Sequence, residues 1–106
     1  MAADAEFPSM DELMARVGFV LLHWGWLEND VRSVGQHIPR QTDDPEFEFA
    51  RRVRNMLAHG MYEASADPNR SEDAYVMCRS DDRERVRVTY ADLKRAIAAL
   101  QTRRFS

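Results

Sequence analysis

Cysteine is almost absent from this chain of 106 residues, since Cys78 is the only one. A single cysteine excludes a disulfide within the chain and a metal site built from cysteine ligands. No stretch approaches the roughly 18 apolar residues that a membrane-spanning helix needs. The acidic N-terminal residues 1–9 also lack the apolar segment of a secretion signal. These absences predict a cytoplasmic protein that does not enter a membrane.

Metal-ligand spacing and internal repeats are lacking too. His23 and His37 are fourteen residues apart, with no Cys, Asp or Glu at a metal-binding spacing. They are better explained as solvated or packing side chains. We therefore expect no metal and no cofactor.

Lysine is also scarce, because the chain has one lysine, Lys94, and fourteen arginines. The net charge of −3 excludes a generally basic nucleic-acid coat, but it hides an asymmetry: residues 1–50 carry −7 and residues 51–106 carry +4. Arginine favours two-pronged contacts with phosphate. A GC-rich genome explains the arginine excess equally well.

The length fits one domain, which we assign to residues 9–106 after a flexible lead at 1–8. Ser9 and Glu12 have the spacing of a capping box, and apolar residues then recur every three or four positions. This pattern predicts a long amphipathic helix to about Gln36. Trp24 and Trp26 cannot share one face of it, so one should lie in the core and the other could meet a dimer partner.

A second helix is predicted from Asp44 as N-cap and Pro45 as first helical residue. Gly60 is expected as the left-handed residue just past its end. The polar residues 64–73 are interpreted as a surface loop.

The last third of the sequence predicts a β-hairpin and a closing helix. Alternating segments at 75–79 and 84–90 flank a turn at 80–83, and Thr89 with Asp92 resembles another capping box. The expected fold is mainly α, a small helical bundle with a long first helix and one short hairpin before the last helix.

Arg54-Asn55-Met56-Leu57-Ala58-His59-Gly60, at the end of the second helix, resembles the Arg-x4-His motif of HEPN domains. The segment from Trp24 to Glu28 is similar to the tryptophan and glutamate pattern that such domains carry upstream. The resemblance spans roughly residues 10–102. The interval from Glu28 to Arg54 is shorter than in the family and leaves no room for an extra helix.

The resemblance implies a bacterial-type homodimer, acting as a metal-independent endoribonuclease, with an antitoxin protein as a further partner. On this interpretation Arg54, Asn55 and His59 are catalytic, and Glu28 and Gly60 are structural. HepT toxins carry a tyrosine two residues after the histidine, where this chain has Met61 and places Tyr62 one residue later.

The residues support this chemistry independently of the family. RNA can be cleaved by its own 2′-hydroxyl once a proton is removed and charge on the phosphate is stabilised. A histidine, with a reference pKa of about 6.5, exchanges protons near neutral pH. An arginine such as Arg54 can hold phosphate oxygens, and Asn55 could bind the phosphate or orient the imidazole of His59.

Helix geometry separates the two main residues, because five positions put Arg54 and His59 about 140° apart. Either the last turn frays and lets His59 swing towards Arg54, or the site is composite across a dimer. The resemblance favours the composite site.

Structural explanations remain for several of these residues. His59 could cap the carbonyl end of the helix, and Arg54 could pair with Glu28. Arg51, Arg52 and Tyr62 are candidate RNA-binding residues, and a strand face with Arg83, Arg85 and Arg87 could guide phosphates, although a solvated hairpin face explains that stripe as well.

The sequence therefore predicts a HEPN-type endoribonuclease that binds RNA, and the resemblance extends this to the toxin of a toxin–antitoxin pair. The alternative is a catalytically inactive HEPN-like dimer that binds a nucleotide or a protein partner.

Overall fold

A computed structural model describes residues 7–104 as three helices and one antiparallel sheet. The order of elements is α1 (Met10–Arg32), α2 (Pro45–Gly60), β1 (Met61–Ser65), β2 (Tyr75–Arg79), β3 (Arg85–Thr89) and α3 (Tyr90–Arg104). The predicted mainly α class is therefore wrong, because the chain has an α+β fold with a three-stranded sheet. Of the predicted N-terminal lead, residues 1–6 lie outside the described part.

The N-terminus of α1 is fixed by the predicted capping box. The hydroxyl of Ser9 accepts a hydrogen bond from the Glu12 amide at 3.1 Å, and the Glu12 carboxylate accepts one from the Ser9 amide at 2.9 Å. The helix ends at Arg32, four residues before the predicted end. Gly35 explains the difference, because its positive φ of 76° belongs to the turn that follows the helix.

The other two helix starts also agree with their local sequence signals. The Asp44 carboxylate accepts hydrogen bonds from the Glu46 and Phe47 amides at 3.0 and 3.3 Å, and Pro45 occupies the first turn of α2. Thr89 and Asp92 exchange two hydrogen bonds of 3.0 Å at the start of α3. These short-range patterns were sufficient because capping is a local interaction.

The sheet has the strand order β1-β2-β3, with both pairs antiparallel. Strands β2 and β3 form the predicted hairpin. Strand β1 was not predicted, because residues 64 and 65 were assigned to a surface loop and residues 61–63 to no element. It pairs with β2 from Ser65 opposite Tyr75 to Met61 opposite Cys78, with an irregularity between Met61 and Glu63. This pairing depends on a distant segment, so the local sequence does not reveal it.

Gly60 is the last residue of α2 and does not have the predicted left-handed conformation. The following residue, Met61, is already extended, with φ −72° and ψ 130°. A Cβ atom at Gly60 would overlap the backbone carbonyl oxygen of Arg79. Glycine is therefore needed here for close contact between the helix end and β2, not for a turn.

The core lies between the three helices and the inner face of the sheet. Trp24 belongs to it with 5% of its surface exposed, and its ring is stacked on Phe47 at 5.7 Å between centroids. Trp26 is 44% exposed, so one tryptophan is in the core and the other is not, as predicted. The sheet contributes Val76, Cys78 and Val88 to the core. Within residues 7–104, no helix combines the length and apolarity required to cross a bilayer.

Candidate functional site

His59 lies at the edge of an open depression between the end of α2 and the β2–β3 turn. Its side chain is exposed, one residue before the end of the helix. Asn55 lies one helical turn earlier and lines the same depression, which has a volume of about 390 Å³. The opposite wall is formed by Arg79, Ser80, Asp81 and Arg83.

A second depression of about 310 Å³ continues from the first along α2. Asn55, Ser80 and Asp81 border both, so the two form one groove, which we name the α2–turn groove. Arg52 and Asp82 border its far end. The groove is thus lined by charged side chains of both signs.

The turn that forms one wall is held by its own backbone. The Ser80 amide donates to the Glu84 carbonyl at 2.9 Å, and the Arg83 amide donates to the Ser80 carbonyl at 2.8 Å. Arg83 has a positive φ of 65°. Together with the Gly60–Arg79 contact, these bonds fix the distance between the turn and α2.

Arg54 does not line the α2–turn groove. It is partly buried, and its guanidinium lies over the Trp24 ring at 5.4 Å. Its Nη1 donates a hydrogen bond of 2.9 Å to Oδ1 of Asn55. Asn55 is therefore the link between Arg54 and the depression that His59 borders, while Arg54 and His59 diverge as the helical angle indicated. Because α2 continues to Gly60, the structure does not show the alternative in which a frayed last turn brings His59 towards Arg54.

Arg51 lies outside the groove, on the side of α2 that faces α1. Its Nε donates to the Glu48 carboxylate at 3.0 Å, and its guanidinium lies 5.2 Å from the Phe47 ring centroid. Hydrogen bonds from Thr42 and then from Arg51 lower the pKa of Glu48. These contacts give Arg51 a clear packing role.

Tyr62 lies on the solvent face of the sheet, near the groove. Its hydroxyl accepts a hydrogen bond of 2.8 Å from Nε of Arg85, and this bond raises the pKa of Arg85. The guanidinium of Arg79 lies 5.1 Å from the Tyr62 ring centroid. Since Arg79 also lines the groove, it connects the groove to this sheet face.

Glu28 borders a separate depression of about 290 Å³, together with Trp24, His37 and Arg51. Among residues 7–104, no ion pair joins Glu28 to Arg54. The structure therefore does not show the alternative in which Arg54 forms an ion pair with Glu28. Arg54 is held by Trp24 and Asn55 instead.

Cys78 has no exposed surface, and burial raises the pKa of its thiol to about 11. The thiol stays protonated near neutral pH, so Cys78 is unsuited to nucleophilic chemistry. Within the part of the chain that the structure describes, no group of three or more His, Cys, Asp and Glu side chains could hold a metal ion.

Sequence reasoning missed Arg79 and the position of the 80–83 turn. The turn itself was predicted from Ser80 to Arg83, but nothing local indicates that it faces His59. The available signal was Gly60, whose lack of a side chain allows β2 to approach the end of α2.

No family model, curated protein or solved structure matches this chain. The resemblance to HEPN domains therefore rests on the residues of α2 and on the segment from Trp24 to Glu28. Membership of that family stays a prediction.

Proposed function

We propose that this chain is a HEPN-like, metal-independent endoribonuclease that acts as a homodimer. The observation that carries the proposal is an exposed histidine, His59, on a groove whose other wall offers Arg79 and Arg83. A proton-transfer group and two phosphate-binding groups thus border the same open space.

In the proposed reaction, the 2′-oxygen of a ribose attacks the neighbouring phosphorus and the bond to the 5′-oxygen breaks. His59 accepts the proton of the 2′-hydroxyl, and water protonates the departing 5′-oxygen. Arg79 and Arg83 stabilise the charge that develops on the phosphate. The products are a 2′,3′-cyclic phosphate and a 5′-hydroxyl.

Asn55 and Arg54 act together in this proposal. Asn55 contacts the phosphate or the imidazole from the groove wall, while Arg54 holds its amide oxygen at 2.9 Å and adds positive charge behind it. This hydrogen bond supports a site assembled within one chain. The composite site across a dimer stays a prediction of the family resemblance.

The exposed face of α1 supports the homodimer. Phe19, Leu22 and Trp26 are 42%, 48% and 44% exposed and lie on one side of the helix. Gly18 and Gly25 lie next to this side of the helix, about 40° and 60° from Leu22, and a Cβ at either position would meet nothing within 4 Å. Glycine is about 1 kcal/mol less favourable than alanine inside a helix. Close contact with a second copy of the chain would explain why glycine is present at both positions.

Sedimentation of Leu22→Arg tests this dimer. We expect wild type to sediment as a dimer and Leu22→Arg as a folded monomer. Val34→Arg is the matched control, because Val34 is 68% exposed but lies beyond the end of α1. A wild-type monomer, or a Leu22→Arg dimer, would contradict the proposed homodimer.

Cleavage in EDTA tests the enzyme. We expect purified protein to cut RNA without added metal and to leave cyclic phosphate ends. His59→Ala should cut about 10²–10⁴ times more slowly. His37→Ala should cut like wild type, since His37 is exposed but lies outside the groove. Equal rates for wild type and His59→Ala would overturn the assignment.

The resemblance adds a biological role, that of the toxin of a bacterial toxin–antitoxin pair in the cytoplasm. Induced expression should then arrest growth, and co-expression of a neighbouring antitoxin gene should relieve the arrest. Growth unaffected by active enzyme would argue against the toxin role while leaving the ribonuclease intact.

A second candidate is a catalytically inactive module that binds a nucleotide or a protein partner. It is favoured by one observation, that Arg54 is packed on Trp24 and outside the groove. It predicts that wild type and His59→Ala bind nucleotide equally in calorimetry and that neither cuts RNA.

A further inference from the structure

The solvent face of the sheet carries three arginines that are close to one another. Arg79 and Arg85 are direct cross-strand partners in β2 and β3, so their side chains leave the same face. Arg87 follows Arg85 on that face, because alternate residues of a strand point the same way. All three side chains are exposed.

This arrangement is unfavourable for the isolated chain, since like charges directly opposite one another destabilise a sheet. Among residues 7–104, none of the three arginines forms an ion pair. Glu63 lies on this face, where its carboxylate pairs with Arg70 at 3.7 Å and its charge helps to raise the pKa of Arg85. One carboxylate does not balance the three arginines, so this face can attract an external anion.

Two tyrosines, Tyr62 and Tyr75, contact the three guanidinium groups. Arg79 lies over the Tyr62 ring at 5.1 Å, and Arg87 lies over the Tyr75 ring at 4.2 Å. The Nε of Arg85 donates to the Tyr62 hydroxyl at 2.8 Å, so this bond does not use the Nη groups of Arg85. Because the rings restrict these side chains, less conformational entropy is lost when they bind a phosphate.

The sheet face and the α2–turn groove form one continuous surface. Arg79 belongs to both, since it lines the depression at His59 and contacts Tyr62. A strand bound along the arginines would therefore lead to the histidine.

We propose that this face, formed by Tyr62, Arg79, Arg85 and Arg87, binds the backbone and bases of single-stranded RNA and delivers the strand to His59. The arginines contact successive phosphates, and a base stacks against the exposed Tyr62 ring or a guanidinium plane. Arginine combined with an aromatic ring suits single strands, whose bases are free to stack. The inference rests on the proposed ribonuclease for its substrate, but its test measures binding alone.

The test is fluorescence anisotropy of a short labelled oligouridylate, with His59→Ala as background so that the RNA stays intact. Adding Arg85→Ala and Arg87→Ala should weaken binding at least tenfold at about 0.1 M salt. The slope of log affinity against log salt should fall by about 1.4, or about 0.7 for each phosphate that the variant no longer binds. Adding Tyr62→Leu instead should weaken binding about tenfold.

The matched control adds Arg32→Ala and Arg40→Ala, two exposed arginines away from the sheet, and should bind like the background. Circular dichroism melting shows that each variant is folded. The proposal is overturned if the sheet variants bind like the control, if the background binds no oligouridylate, or if an acidic peptide competes as well as RNA, which would indicate a protein partner.

Failure of this inference differs from failure of the ribonuclease. RNA binding that depends on Arg85 and Arg87, in a protein that never cuts RNA, would support the binding face and remove the enzyme. If the variant with Arg85→Ala and Arg87→Ala cut RNA as fast as wild type, the result would support the enzyme and remove the binding face.

Discussion

The two sides of α2 differ in what their arginines do. On the side facing α1, Arg51 and Arg54 are packed over Trp24 and Phe47 and are engaged by neighbouring side chains. On the side facing the β2–β3 turn, Arg52 and His59 border an open groove. Residues of one helix can therefore be assigned to structure or to a site by what surrounds them, although their sequence neighbours are similar.

Replacing Trp24 should give the largest effect on the packed side. Trp24→Ala removes a ring that is 5% exposed, stacks on Phe47 and supports two guanidinium groups. We expect a loss of about 3–5 kcal/mol in the free energy of unfolding, measured by urea denaturation. Trp26→Ala, at a 44% exposed ring, is the control and should cost far less in the monomer. Similar losses for both would mean that the core is assigned wrongly.

A methyl group at Gly60 should disturb both the packed side of α2 and the side that borders the groove. Gly60→Ala places a Cβ against the Arg79 carbonyl oxygen, so α2 and β2 must move apart. We expect about 1–3 kcal/mol of destabilisation in thermal melts, together with slower RNA cleavage. Gly25→Ala meets nothing within 4 Å, and in the monomer it should be neutral or slightly stabilising. An unchanged Gly60→Ala melt would contradict the close contact.

Alkaline titration tests the packed face of the sheet at Cys78. Its folded pKa of about 11 lies above the ordinary value of 9.0, so the folded chain keeps the proton that the unfolded chain loses. Stability should then fall between about pH 9 and pH 11, by up to about 1.4 kcal/mol per unit. Cys78→Ala should lack this part of the pH dependence. Rapid labelling of the native thiol at neutral pH would refute its burial.

The smallest expected changes in stability come from replacing Arg54 on the packed side and Arg52 on the open side. Arg54→Ala removes a guanidinium that packs on Trp24 and bonds Asn55, and it should cost about 1 kcal/mol of stability. Arg52→Ala, on the open side, should change stability by less than about 0.5 kcal/mol. Melting curves and cleavage rates distinguish the roles: an Arg54→Ala variant with a normal melt but no cleavage would make Arg54 purely catalytic.

Local signals in the sequence located most elements of the fold. The caps at Ser9, Asp44 and Thr89 and the β2–β3 hairpin depend on neighbouring residues, and all four were predicted. Strand β1 was missed because it is stabilised by pairing with β2, ten or more residues away. That one strand changes the class from mainly α to α+β.

The candidate site was predicted only in part, for a related reason. Helix geometry indicated that Arg54 and His59 do not simply point together, and it left open whether a frayed last turn or a second chain brings them into one site. The turn opposite His59, and Arg79 within it, depend on how the sheet packs against α2. The periodicity of the sequence does not indicate how the sheet packs against α2.

The contact between Gly60 and Arg79 has a consequence for how the site could vary. Main-chain atoms meet there, so the width of the groove is set without the help of any lining side chain. Substitutions along the walls can then alter charge and chemistry while the opening keeps its dimensions. Under the proposed ribonuclease function, such substitutions would change which phosphate-bearing substrate is preferred while the groove still admits a strand of the same thickness.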